Sequence, residues 1–110
     1  MATLALEVAE RRAERRLPGG GPRFGAGAVL RPGQAVVLVN ISSRAALIES
    51  ATRLRPGALT ELQLCGGDAR ASVRGRVERC HVMGLDPLRY HGVVVFEDRV
   101  DLGMETEGSE

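Results

Sequence analysis

VVLVNISSRAALIES, residues 36–50, is the stretch that sets the fold class. Four strand formers, Val36, Val37, Leu38 and Val39, lead into Asn40, Ser42, Ser43 and Arg44, and the chain turns apolar again from Ala45 to Ile48. Short β-branched runs bounded by polar turn formers read as two strands with a tight connection. An amide, two hydroxyls and a guanidinium crowd into that connection. On local chemistry alone, Asn and Ser there close a turn on their own backbone.

The residues on either side extend the same pattern. Phe24 to Leu30 is a weak, Gly- and Ala-rich strand, and Arg31-Pro32-Gly33-Gln34 is a turn. Gln34 to Asn40 and Ala45 to Glu49 form the next two strands, and Arg53-Leu54-Arg55-Pro56-Gly57 is a loop. From Ala58 to Cys65 the chain alternates, with Thr60, Leu62 and Leu64 on one face and Glu61 and Gln63 on the other. Gly66-Gly67-Asp68 is a hairpin-type turn. Ala71 to Met83 alternates as well, Val73 and Val77 inward and Arg74, Arg76 and Glu78 outward, until the apolar phase moves to Cys80 and Val82. A one-residue phase change within a strand predicts a bulge near Arg79. Gly84-Leu85-Asp86-Pro87 turns the chain into a last, strongly apolar strand from Tyr90 to Glu97. Turn signals recurring at about 8–12 residues make this an all-β chain, a small antiparallel barrel or sandwich.

Upstream, Ala5, Val8, Ala9 and Ala13 have helical spacing, and Thr3 is a suitable N-cap. Arg11, Arg12, Arg15 and Arg16 crowd the last turn and a half of that helix, where cations suit the helix dipole. Pro18 and Gly19-Gly20-Gly21-Pro22 then stop it and predict a flexible link. Residues 1–22 thus read as an Arg-rich arm, 23–100 as the barrel, and 101–110 as an acidic tail that frays.

Composition bounds the function. A chain of 110 residues suits one domain. Aromatics make up 3%, so the core rests on Val, Leu and Ala, and stacking platforms for single-stranded nucleic acid are nearly absent. A net charge of +1 does not call for a polyanionic partner. All 15 basic residues are Arg, the residue suited to bidentate contact with phosphates and purine edges. Cys65 and Cys80 match no zinc spacing and read as reduced cysteines of a cytoplasmic protein. No signal peptide or membrane span is expected. His81 and His91 lack a ligand constellation, and Cys80 and His81, adjacent in a strand, point to opposite faces. Ser42 and Ser43 lack the elbow of a hydrolase, and the glycine runs lack a P-loop lysine. The expectation is no enzyme, no metal and no cofactor.

Two polar clusters and two strands carry a resemblance. Arg11, Arg12 and Arg16 fit Arg-Arg-x-x-x-Arg, and Asn40-Ile41-Ser42-Ser43-Arg44-Ala45 follows about two dozen residues later. Farther on come GRVERC, residues 75–80, and YHGVVVF, residues 90–96. In order and spacing, roughly from residue 9 to residue 98, this resembles the PilZ domain family. The family's signature is an RxxxR arm and a [D/N]xSxxG turn. The resemblance implies a six-stranded antiparallel barrel that binds cyclic di-GMP, a ligand with two phosphates and two guanines. It implies that Arg12 and Arg16 grip guanine edges and phosphate oxygens, with Arg11 adding charge. Asn40 would accept from guanine N–H donors, and Ser42 would bond phosphate or orient Asn40. The family's glycine falls on Ala45, where a left-handed backbone would cost about 1–2 kcal/mol and a methyl would stand toward the ligand.

The functional expectation is a regulatory module whose arm closes over the dinucleotide and changes contact with a downstream protein. The alternative is a degenerate domain that binds no nucleotide and serves as a protein-interaction adaptor. Nonspecific nucleic-acid binding through the arm is a weaker third reading, opposed by the acidic tail. Neither DNA nor membrane is an expected partner.

Overall fold

The computed structural model describes residues 16–103. Of the expected helix from Thr3 to Arg16 only Arg16 lies within that range, and it is not helical. Arg11 and Arg12 lie outside the described residues, as do residues 104–110.

Every regular element described is a strand. They are β1 (Leu17–Pro18), β2 (Gly27–Leu30), β3 (Gln34–Ile41), β4 (Ala45–Ser50), β5 (Leu59–Gly66), β6 (Ala69–Leu85) and β7 (Leu88–Phe96). Neighbours run β3-β2-β5-β6-β7-β4, and β4 pairs back with β3, so six antiparallel strands close a barrel. The expected fold class is therefore the one observed. Closure removes the sheet edges that a small open sheet would leave. The seventh strand, β1, was not legible in the sequence. It lies against β3 beyond the end of β2, with Leu17 opposite Ile41 and Pro18 opposite Asn40.

Alternation builds the core, as read for β5 and β6 and likewise in β3 and β4. Leu62 and Leu64 of β5, Val73 and Val77 of β6, Ala46 and Ile48 of β4, and Leu38 and Ile41 of β3 all face inward and are buried. Leu54, from the loop after β4, caps one end of the barrel under Gly92. The bulge expected near Arg79 is present, as a register shift between Val77 and Arg79 against β7. Two further bulges escaped the sequence reading, one in β3 between Leu38 and Asn40 and one in β6 between Val82 and Gly84. Neither interrupts a polar–apolar alternation, which is the signal that revealed the first.

Three expectations need correction. The Gly19–Pro22 link is folded. Gly19 N–H donates to the Val39 carbonyl at 2.9 Å, Gly21 N–H donates to the Pro18 carbonyl at 3.1 Å, and Gly20 bridges to Phe24. Positive φ at Gly19 (58°) and Gly21 (76°) turns the chain back over β3, so these glycines serve as turn formers. The acidic tail does not fray from residue 101. Val100 and Leu102 are buried in the core, Val100 N–H donates to the Ser43 carbonyl at 2.8 Å, and Asp101 pairs with Arg23 at 2.9 Å. Two apolar residues at alternate positions between charges were enough to seat this segment. Finally, Val82 does share the inward phase of Cys80, but β6 outruns the barrel there and Val82 is 50% exposed.

No helix among the described residues is long and apolar enough to cross a membrane.

Candidate functional site

The bulge in β3 creates the site. Leu38 lies opposite Ile48 and Asn40 opposite Leu47, so Val39 is the extra residue. An extra residue lets Leu38 and Ile41 both point inward while Asn40 points outward. β1 then fixes what lies beside it. Because Pro18 pairs with Asn40, the residue leading into β1 is held at the same point. Arg16 Nη1 donates to Asn40 Oδ1 at 2.8 Å. A cationic donor makes this a charge-assisted bond, though an exposed one open to solvent screening.

The strand registers show what else shares this outer face. Asn40 is in line with Leu47 of β4, Val93 of β7 and Arg79 of β6. The next outward row is Ala45, Val95 and Arg76. An apolar floor of Leu47, Ala45 and Val95, with Val93 buried beneath it at 7% exposure, is thus flanked by Arg16 and Asn40 on one side and by Arg76 and Arg79 on the other. Three interstrand steps of about 4.8 Å put the two flanks roughly 14 Å apart. Arg76 Nη1 donates to the Gly57 carbonyl at 3.1 Å, which holds it at the barrel surface. Nothing in the sequence marked these β4, β6 and β7 residues as neighbours of Asn40. The only available signal was their outward phase.

The remaining expected site residues fall as follows. Ser42 is 2% exposed, and its Oγ accepts from the N–H groups of Arg44 (3.2 Å) and Ala45 (3.1 Å). Its own N–H donates to the Ala45 carbonyl at 2.8 Å. The hydroxyl therefore closes the β3–β4 turn, as the local chemistry by itself suggested. Ser42→Ala is expected to lower stability by about 1–2 kcal/mol, because two turn N–H groups lose their acceptor. The denaturant midpoint measures this, and Ser42→Thr, which keeps the oxygen, should lose less. Ala45 opens β4 in extended conformation opposite Val95, and no non-glycine residue described has positive φ. The left-handed strain weighed for this position is not incurred. Its methyl does stand on the outer face.

The structure brings together one group the sequence kept apart. Glu49, His91 and His81 are in register across β4, β7 and β6. His91 Nε2 is 3.4 Å from Glu49 Oε1, and the two imidazole rings meet edge to face at 6.1 Å. No group of three ligands among the described residues is arranged to hold a metal ion. A shallow pocket of about 190 Å³ at Arg23, Ser72, Asp98 and Asp101 is separate from Asn40.

The chain matches no family model, no curated protein and no solved structure, so the reading of this site rests on its own residues and geometry.

Proposed function

We propose that this barrel is a cyclic di-GMP-binding module of the PilZ type. The observation that carries the reading is the 2.8 Å contact between Arg16 and Asn40, which joins the arm motif and the turn motif, 24 residues apart, on one outer face. The ligand's chemistry fits that face. Guanine offers N7 and O6 to an Arg fork, its Watson–Crick edge offers N–H donors to an amide oxygen, and its two phosphates call for further cations. Arg16 and Asn40 supply the first two. Arg76 and Arg79 lie across the same face, roughly 14 Å away by three interstrand steps, and the apolar floor gives a base a surface to rest on. Asn40 Oδ1 already accepts from Arg16, so a guanine N–H must share or displace that bond.

Calorimetry with the purified full chain and cyclic di-GMP tests this. Wild type should bind with measurable heat, and Arg16→Ala should weaken binding about tenfold or more, the range for a hydrogen bond to a charged group. No heat at tens of micromolar protein sinks the proposal. An Arg16→Ala variant that binds as well as wild type sinks the role of the arm.

A second reading is favoured by the same contact. If the Arg16–Asn40 bond persists, and the Ala45 methyl blocks close approach, the face is a closed surface and the barrel is a protein-interaction adaptor. Partner capture would then be indifferent to added dinucleotide.

A further inference from the structure

β6 is 17 residues long, and its outer half has no second neighbour among the described residues. Its pairing with β5 begins only at Leu59 opposite Arg76, the last backbone bonds on that edge join Val77 to Gly57 and Ala58, and beyond them the Leu54 N–H donates to Cys80 Sγ at 3.4 Å. On the other side of the hairpin, β4 leaves β7 at Ser50 opposite Tyr90. From there to the Asp86-Pro87 turn, β6 and β7 project as a two-stranded arm.

That arm keeps the barrel's alternation after the barrel has ended. Val82 and Leu85 of β6 and Leu88 and Tyr90 of β7 lie on the inward-phase face, continuing from Cys80, which still packs against the core, since Val82 pairs with Tyr90 and Leu85 with Leu88. Val82 is 50%, Leu85 80% and Leu88 45% exposed, and the bulged Met83 is 52% exposed. Arg79, His81, Arg89 and His91 take the other face. An isolated hairpin is marginal in water, and an exposed strand edge is one that proteins normally cover or blunt; this one has the Met83 bulge and the charges of Glu78 and Arg79 but no lysine or proline. The edge of β6 from Glu78 to Leu85, unpaired among the described residues, is roughly 25 Å long at ~3.3 Å per residue.

We propose that this edge pairs antiparallel with the same edge of a second copy of the chain, giving a two-fold dimer through a four-stranded sheet, β7-β6-β6-β7. The sequence of the edge selects the partner and the register. Count Met83 as the extra residue of its bulge, and place the two-fold axis at Val82. Then Val82 faces Val82, Cys80 faces Leu85 and His81 faces Gly84 of the second copy. Arg79 faces Asp86 of the second copy, and this occurs twice by symmetry. Apolar residues meet apolar residues on one face, and opposite charges meet on the other. The opposed pairs within the strand also share a face, as pleating requires, and Asp86 meets Arg79 from the turn. Sliding by two residues toward Gly84 shortens the ladder, and sliding either way, toward Gly84 or toward His81, loses the Arg79–Asp86 match. An edge that complements itself in this way closes on two copies and leaves no repeat to grow a fibre.

Sedimentation equilibrium of the full chain across a wide concentration range should show a reversible monomer–dimer equilibrium. Val82→Lys, which puts two like charges on the axis, should give monomer at every concentration with the circular dichroism and melting point of the fold retained. In a Cys65→Ser, Cys80→Ala background, Val82→Cys should oxidise to a covalent dimer, because opposed residues of an antiparallel pair are within disulfide range. Arg79→Asp and Asp86→Arg should each weaken the dimer, and the two combined in one chain should restore it. A wild-type chain that stays monomeric overturns the proposal. So does a dimer that survives Val82→Lys, or one in which Val82→Cys does not cross-link.

Discussion

Leu62→Ala is expected to lower the stability of the barrel by about 3 kcal/mol, within the 2–5 kcal/mol that such truncations cost. Leu62 is fully buried and lies opposite Leu30 of β2 and Val73 of β6. The closed ladder holds its neighbours on both sides, so the cavity cannot collapse by sliding a strand. The core also has few large side chains to fill it, with Phe24 and Phe96 as its buried aromatics among the described residues. At about 4–8 °C per kcal/mol for a domain of this size, the melting point should fall by about 12–24 °C. Leu59→Ala in the same strand is the control, because Leu59 is 67% exposed. A Leu62→Ala variant within 1 kcal/mol of wild type would mean that the barrel is not packed as described.

Gly66→Ala should be comparably severe for a different reason. A Cβ there would lie 2.7 Å from the Arg23 carbonyl oxygen, the Gly25 nitrogen and the Phe24 Cα. All three atoms are backbone, and the segment is held to β5 by the bond from Gly25 N–H to the Cys65 carbonyl at 2.9 Å. The methyl must lift residues 23–25 off β5, which should cost about 2–3 kcal/mol. Residues 23–25 join the β1 turn to the barrel, so the same change should loosen the hold on Arg16. Gly27→Ala is the matched control, because its added Cβ meets nothing within 4 Å. Chemical denaturation of the three proteins separates the effects. Equal midpoints for Gly66→Ala and Gly27→Ala would contradict the close approach.

Much of the barrel was legible because its signals are local. Period-two alternation marked β5 and β6, and the slip of that phase marked the bulge beside Arg79. Gly67, at the first central position of a two-residue hairpin with φ of 55°, is the residue type that turn demands. The β1 strand was not legible, since Leu17–Pro18 is a two-residue pairing with no pattern to detect. Nor was the use of Gly19 and Gly21. A glycine run specifies conformational freedom, and only the hydrogen bond to Val39 shows how that freedom is used.

The candidate site divides in the same way. Arg16 and Asn40 were singled out by the resemblance their motifs carry, and the turn role of Ser42 followed from the chemistry of a short hydroxyl side chain. Leu47, Val93, Arg76 and Arg79 came to the same face only through the closure of the barrel. By its own pattern, then, the chain determined the six barrel strands, the face assignment of β5 and β6 and the turn chemistry, because these depend on residues a few positions apart. Tertiary structure alone decided that β3 bulges at Val39, that β1 brings Arg16 to Asn40, and that β6 runs on beyond its partners. Those outcomes depend on where one strand ends against another, and strand ends are set by non-local packing that no single segment encodes.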